Sequence, residues 1–242
     1  MKLIIIRHGD PDYEHDTLTK KGWKEAELLA DRISRLDVKD FYVSPLGRAK
    51  DTASLTLKKM NRIATECEWL REFKSKIWRP DVTDREMIPW DWLPQDWMKD
   101  ERFFHYEDWK QNEHMQAGNP EEQYDWIVSN LDELLKKHGY ERDGKYYRVN
   151  QANTDTIVFF CHFGLECAVL SHLINVSPMI MWHHFCAAPT SVTTLFTEER
   201  RKGIADFRIQ SFGDLSHLYV GDEEPSDAAK FCETYENKEQ RH

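Results

Sequence analysis

The sequence predicts an α/β protein with three layers (αβα), in which helices cover both faces of a mostly parallel central sheet. Two short segments, residues 3–6 and 156–161, are apolar without alternation and rich in β-branched or aromatic side chains, which is typical of buried parallel strands. Helical patterns follow each of them. Between about residues 77 and 120 both patterns stop, which predicts an inserted, partly helical cap.

Composition limits the class of protein. The 242 residues are expected to form one domain, 1–242, that contains the cap as an insertion. A net charge of −10 without a long basic run argues against nucleic acid or a membrane as a partner. No apolar stretch approaches the roughly 20 residues that span a bilayer, and no signal-peptide pattern opens the chain. Five scattered cysteines without a Cys-x-x-Cys pair suit free thiols, so a cytoplasmic location is expected.

The first strand ends at a motif that carries chemistry. Gly9 and Pro11 force the chain out of the strand, so Arg7 and His8 are placed at its carboxyl end, where open α/β sheets bind ligands. Thr19 is a predicted N-cap for a first helix. The next elements are a strand at 41–43, a turn that carries Arg48 into a second helix, and a short strand at 63–67.

The predicted cap is dense in tryptophan. Two interpretations stay open: the rings form a small core of the insertion, or they shape the substrate pocket. Arg79 and Arg85 could contact a second acidic group of a substrate. The tryptophans in question are Trp78, Trp90, Trp92, Trp97 and Trp109.

The second half of the chain repeats the strand-to-helix pattern. A helix is predicted over 121–138 with Gly139 after its end, and Asp143-Gly144 indicates a hairpin. The buried strand at 156–161 is followed by a helix at 165–174. The last predicted elements are strands at 191–197 and 205–212 and a terminal helix at 227–235. The His183-His184 pair is interpreted as lying on a strand, where its rings would face opposite sides and so could not share a metal.

Two histidines are expected to meet in space. His8 follows the first buried strand and His162 follows the strand at 156–161, so parallel pairing would bring the two strand ends together. Arg48 would arrive from a third turn. Since crowded cationic groups cost free energy unless an anion offsets them, the sequence predicts an anion pocket at this edge of the sheet.

At this point the chain resembles the histidine phosphatase superfamily, in the branch that contains the cofactor-dependent phosphoglycerate mutases. The matching motifs occur in the family's order. They are Arg7-His8-Gly9, Leu18-Thr19 with Gly22, Ser44-Pro45-Leu46 with Arg48-Ala49 and Thr52-Ala53, Leu70-Arg71-Glu72-Phe73 with Trp78, His162 with Gly164, and Ser216-His217-Leu218.

The resemblance implies a role for each site residue. His8 would be the nucleophile that accepts the phosphoryl group, and Glu72 the acid that protonates the leaving oxygen. Arg7, Arg48 and His162 would bind the phosphoryl oxygens. The backbone of Gly9 and Phe163 would add to phosphate binding, and no metal or other cofactor is implied. Asp10, Asp84 and Glu86 rival Glu72 as proton donor. Gly9 and Gly164 could instead be simple turn residues.

The expected function is hydrolysis of a phosphomonoester of a small metabolite. The alternatives are phosphoryl transfer of the phosphoglycerate mutase type, or a non-catalytic relative that binds phosphate. Asp10-Pro11-Asp12-Tyr13 differs from the Glu-Ser and Trp-Asn pairs that mutases carry after Arg-His-Gly, which favours the phosphatase. Phe163 stands where many relatives have glycine, and Glu166 and Cys167 also depart from the family pattern. The expected partner is a small phosphorylated substrate, and a homodimer is compatible with the sequence.

Overall fold

The computed structural model describes residues 1–228, 230–231, 233–237 and 239. In this part of the chain the strands are β1 (Lys2–Arg7), β2 (Pro11–Asp12), β3 (Thr17–Leu18), β4 (Asp40–Val43), β5 (Thr65–Glu66), β6 (Ile77–Arg79), β7 (Val82–Met87), β8 (Tyr140–Asp143), β9 (Tyr146–Val149), β10 (Thr156–Cys161), β11 (Val192–Arg201) and β12 (Ile204–Asp214).

The α-helices are α1 (Lys20–Ile33), α2 (Gly47–Met60), α3 (Pro94–Trp97), α4 (Glu113–Gly118), α5 (Pro120–Lys137), α6 (Phe163–Ile174), α7 (Pro178–His184) and α8 (Ser216–Val220). Short 3-10 helices lie at Glu68–Leu70, Glu101–Phe104 and Trp109–Gln111.

The central sheet has the strand order β5-β4-β10-β1-β11-β12-β9-β8. The strands β5, β4, β10, β1, β12 and β8 run in one direction, and β11 and β9 run in the other, which confirms the mostly parallel sheet. In the β1–β10 ladder Arg7 lies opposite Cys161. The next residue of each strand, His8 and His162, therefore leaves the same edge of the sheet side by side.

Two cores cover the two faces of the sheet, so the three-layer arrangement is confirmed. Successive side chains of β1 alternate between them: Leu3 and Ile5 enter the core beneath α5, α6 and α7, whereas Ile4 and Ile6 enter the core beneath α1 and α2. This double burial explains why β1 reads as a continuous apolar run in the sequence.

Local signals set the ends of the helices. Thr19 caps α1, and its hydroxyl accepts a hydrogen bond from the Gly22 amide at 3.1 Å. Gly139 follows α5 with a φ of 93°, in the left-handed region that glycine adopts without strain. The predicted apolar face of α5 is buried, at Tyr124, Ile127, Val128, Leu131, Leu134 and Leu135.

The segment 77–120 combines a β6–β7 hairpin, which the sequence pattern did not indicate, with short helices. Trp92, Trp97 and Trp109 are buried in the same core as the sheet rather than in a separate one. Trp78 is half exposed. Most of the tryptophans are therefore core residues, but the interpretation that they form a small core of the insertion itself is wrong, because they share the core of the sheet.

Two expectations near the end of the chain are wrong. His183 and His184 end the helix α7 rather than lie on a strand, because Ser177 caps a helix that begins at Pro178. The described residues of 227–235 form turns and no helix, while Ala229 and Cys232 lie outside the described residues. In the described part of the chain, no helix has the length and apolar character needed to cross a membrane.

Candidate active site

The imidazole rings of His8 and His162 lie with their centroids 5.1 Å apart. Both are buried: His8 is 1% exposed and His162 is 0% exposed. The parallel pairing of β1 with β10 places them there, as the sequence predicted from the two strand ends. Two distant segments of the chain thus form one site.

The ring of His8 is oriented by its own loop. Its Nδ1 lies 2.8 Å from the carbonyl oxygen of Gly9, an acceptor, so the proton belongs on Nδ1 and the basic lone pair on Nε2. The Gly9 amide donates to Thr52 Oγ1 at 2.9 Å. A Cβ on Gly9 would lie 2.8 Å from the Gly22 carbonyl oxygen, so only glycine fits here. Gly9 therefore acts on the site through its carbonyl group.

His162 directly precedes α6. Burial, followed by the nearby His8, Arg48 and Arg7, holds the pKa of His162 well below its usual value. Its Nε2 lies 2.7 Å from Ser44 Oγ. Its Nδ1 is buried and has no hydrogen-bond partner among the described residues.

Two guanidinium groups adjoin the histidines. Arg7 donates to the carbonyl oxygens of Ala187 at 2.6 Å and Ala228 at 2.8 Å. Arg48 donates to Asp16 Oδ1 at 2.6 Å, and Asp16 also accepts from the Gly47 amide. The Nε atoms of both arginines are buried without a partner among the described residues.

Glu72 lies at the N-terminus of α6. Its Oε1 accepts hydrogen bonds from the amides of Phe73 at 2.8 Å and Leu165 at 3.1 Å. Burial raises the pKa of Glu72, although these amides and the arginines Arg7 and Arg48 act in the opposite direction.

The three rivals of Glu72 lie elsewhere. Asp84 and Glu86 are exposed on β7, and Asp10 bonds to the hydroxyl groups of Thr19 and Ser226. None of the three lines the pocket that contains Glu72.

A pocket of about 210 Å³ adjoins Arg7, Arg48 and Glu72, whereas His8 and His162 are not among its described lining residues. The described residues that line it are Arg7, Tyr13, Arg48, Glu72, Ile88, Trp90, Asp91, Phe163 and Phe231. Sequence reasoning missed Tyr13, Ile88, Asp91 and Phe231 as lining residues, and it missed Asp16 as the partner of Arg48. Ser44 was present in a recognised motif, but its contact with His162 joins residues that are distant in the chain.

Arg79 binds other residues of the segment 77–120. It is buried, and it donates to the carbonyl oxygens of Trp90 at 2.6 Å and Asp91 at 2.5 Å. It also forms a two-point ion pair with Asp81, with distances of 2.9 and 2.5 Å. The expectation that Arg79 contacts a substrate is therefore wrong, because its side chain binds the cap itself. Arg85 is exposed and does not line the pocket.

Trp90 packs against the start of α6. Its ring centroid lies 6.2 Å from that of Phe73 and 5.7 Å from that of Trp182. A Cβ on Gly164 would lie 2.6 Å from Trp90 Cη2 and 2.8 Å from Glu72 Oε1. Gly164 is thus required by the close approach of two side chains of the site.

The chain is similar to known proteins along most of its length. The family model of the histidine phosphatase superfamily (branch 1) matches residues 3–210. A 2,3-bisphosphoglycerate-dependent phosphoglycerate mutase of Thermoplasma acidophilum is 30% identical over 122 residues, which cover 38% of this chain and 61% of that relative. Phosphoserine phosphatase 1 of Hydrogenobacter thermophilus is 24% identical over 233 residues, or 91% of this chain and 97% of the relative.

Among solved structures, a mutant phosphoserine phosphatase of Entamoeba histolytica in complex with phosphoserine matches with a TM-score of 0.58. It is 19% identical, and the match covers 90% of this chain and 98% of that one. At this identity the likeness shows the fold.

Proposed function

Because the chain belongs to the histidine phosphatase superfamily (branch 1), we propose that it hydrolyses a phosphate monoester of a small metabolite through a covalent phosphohistidine on His8. One observation carries the proposal. Three buried nitrogens of the site, Nε of Arg7, Nε of Arg48 and Nδ1 of His162, have no partner among the described residues. A phosphoryl group bound at His8 would supply acceptors for such donors, whereas leaving them unsatisfied costs free energy.

In the first step Nε2 of His8 attacks the phosphorus atom, and the bond from phosphorus to the ester oxygen breaks. The proton stays on Nδ1, where it is hydrogen-bonded to the Gly9 carbonyl oxygen, and this keeps the imidazole in the reactive tautomer. Glu72 gives its proton to the departing alcohol oxygen. Its raised pKa suits this task, since the carboxyl is protonated over a wider range of pH than an ordinary glutamate.

In the second step Glu72, now a carboxylate, takes a proton from a water molecule. The water oxygen attacks phosphorus, the bond from phosphorus to Nε2 of His8 breaks, and inorganic phosphate leaves. Glu72 donates a proton in the first step and accepts one in the second, so the enzyme returns to its starting state.

Charge stabilisation in this scheme comes from side chains and backbone. Arg7, Arg48 and the neutral His162 would donate to the phosphoryl oxygens, and the Phe163 amide in the first turn of α6 would add to them. Each preorganised donor of this kind is typically worth about 3 kcal/mol in the transition state.

The relatives support a phosphatase or a mutase, and the mutase is the second candidate because of the 30% identity to the T. acidophilum protein. Incubation with 3-phosphoglycerate and a trace of its bisphosphate separates the two. A mutase yields 2-phosphoglycerate, whereas the proposed phosphatase yields free phosphate.

The central test is hydrolysis of p-nitrophenyl phosphate by the wild type and by His8→Ala. We expect the substitution to reduce kcat at least about a thousandfold, and the alkali-quenched wild type to carry phosphate on His8. His15→Ala is the matched control, because His15 is an exposed histidine paired with Asp12. Equal inertness of the wild type and His8→Ala would favour the non-catalytic relative.

A further inference from the structure

The cap side of the pocket carries a second acid, Asp91. Its side chain is half-buried and lines the same pocket as Arg7, Arg48 and Glu72. Among the residues that the structure describes, none forms a hydrogen bond or an ion pair with the Asp91 carboxyl group. Arg79 is near, but it binds the Asp91 carbonyl oxygen and the carboxylate of Asp81.

Apolar side chains contribute to the burial of Asp91. Ile88 and Trp90, close to it in the chain, line the same pocket. Removal from water raises the pKa of Asp91 to about 6. A carboxylate in such a place gains more from a cationic partner than one in water does, because the attraction is stronger where solvent is excluded.

Charge balance shows which ligand would complete the pocket. Arg7 and Arg48, the two cationic side chains among its described lining residues, match the two negative charges of a phosphomonoester dianion. With Glu72 protonated as the proposed mechanism requires, neither cation of the described lining is left to pair with the Asp91 carboxylate, and the nearby Arg79 is paired with Asp81. An ester with an ammonium group would supply such a partner, whereas a neutral or carboxylate-bearing ester would not.

We propose that this pocket selects the phosphate monoester of a small amino alcohol, whose ammonium group pairs with the Asp91 carboxylate. The inference rests on the proposed phosphatase function and names its substrate class. The pocket volume of about 210 Å³ suits a compact ester. The aromatic side chains of Trp90 and Phe231 form part of the same lining.

The test compares kcat/KM for 2-aminoethyl phosphate, 2-hydroxyethyl phosphate and 2-carboxyethyl phosphate in the wild type and in Asp91→Asn. Asparagine tolerates the left-handed φ of 63° at this position, so the backbone is preserved. For each ester, kcat/KM of the variant is divided by kcat/KM of the wild type, so that differences between the leaving groups cancel. We expect Asp91→Asn to reduce kcat/KM for 2-aminoethyl phosphate roughly 30-fold more than kcat/KM for 2-hydroxyethyl phosphate, as for the loss of a desolvated charge pair.

Glu101→Gln removes an exposed carboxylate of the cap and is expected to leave all three ratios at one. An equal loss on all three esters in Asp91→Asn would overturn the inference, because it would mark Asp91 as a proton donor or a structural residue. An unchanged profile would also overturn it.

The proposed function is tested separately by p-nitrophenyl phosphate. If His8-dependent hydrolysis of that ester occurs without a preference for the amine, only the substrate class is wrong. If the wild type hydrolyses none of the four esters, both proposals fail.

Discussion

Ser44 Oγ lies 2.7 Å from Nε2 of His162, inside the protein. Where this hydroxyl donates to Nε2, the proton of His162 lies on Nδ1, the buried nitrogen that has no partner among the described residues. The role proposed for His162 as a donor to phosphate therefore depends on a serine contributed by the end of β4.

We expect Ser44→Ala to reduce kcat for p-nitrophenyl phosphate about 10-fold or more, because His162 loses its orientation. The measurement is steady-state kinetics well below the melting temperature, with folding checked by circular dichroism. Ser54→Ala, which removes an exposed hydroxyl of α2, should not change kcat. Unchanged kinetics in Ser44→Ala would contradict the tautomer argument.

Glu72→Gln separates the acid step from phosphoryl binding. Nitrophenolate leaves without a proton, whereas an alkoxide requires one, so the variant should lose about 100-fold or more on 2-hydroxyethyl phosphate and far less on p-nitrophenyl phosphate. The wild type should lose activity on the alkyl ester as pH rises through the raised pKa of Glu72, and the variant should lack this limb. Equal losses on both esters would argue against the proton donor.

Gly164→Ala tests the contact between the cap and α6. The new Cβ would displace the Trp90 ring and Glu72 Oε1, so we expect both activity and stability to fall, the latter by about 1–3 kcal/mol. Trp90→Phe removes the Trp90 atom that the Cβ would approach most closely, while Glu72 Oε1 stays in place. In that background the cost of Gly164→Ala, measured by urea denaturation, should be smaller; a purely additive double mutant would show that the clash is relieved in another way.

The titration of Glu25 should make the free energy of unfolding depend on pH. It is fully buried in α1, Oε2 accepts from the Asp10 amide at 2.8 Å, and burial raises its pKa to about 7. Because the folded-state pKa exceeds the unfolded one, its stabilisation is complete at low pH and is lost as pH rises from about 4.5 through 7.

Between pH 5 and pH 8, Glu25→Gln should therefore gain roughly 2–3 kcal/mol in unfolding free energy relative to the wild type. Glu27→Gln, two positions along the same helix and exposed, should show no such trend in urea denaturation. A difference between Glu25→Gln and the wild type that does not vary with pH would show that Glu25 does not titrate in this range.

The sequence alone was sufficient to predict the edge of the sheet at which His8 and His162 meet. Continuous apolar runs, the breaks at Gly9 and Gly164, and helical periodicity are local signals, and parallel pairing follows from them. The contacts within the cap, by contrast, could not be predicted from local patterns. Nothing periodic relates Arg79 to the carbonyl groups of Trp90 and Asp91, because a guanidinium group can bind any backbone oxygen that packing brings near. For this reason the sequence did not predict that Asp91 lines the pocket.

The link between Arg7 and the carbonyl group of Ala228 has a consequence for biosynthesis. The two residues are 221 positions apart, and Phe231 on the pocket wall lies further along still. Arg7 therefore leaves the ribosome 221 residues before Ala228 does. β1 also needs β10 and β11 as neighbours, so a nascent chain that has already folded α1 and α2 would still lack a finished phosphate site. The phosphate site would form only after translation has passed Ala228.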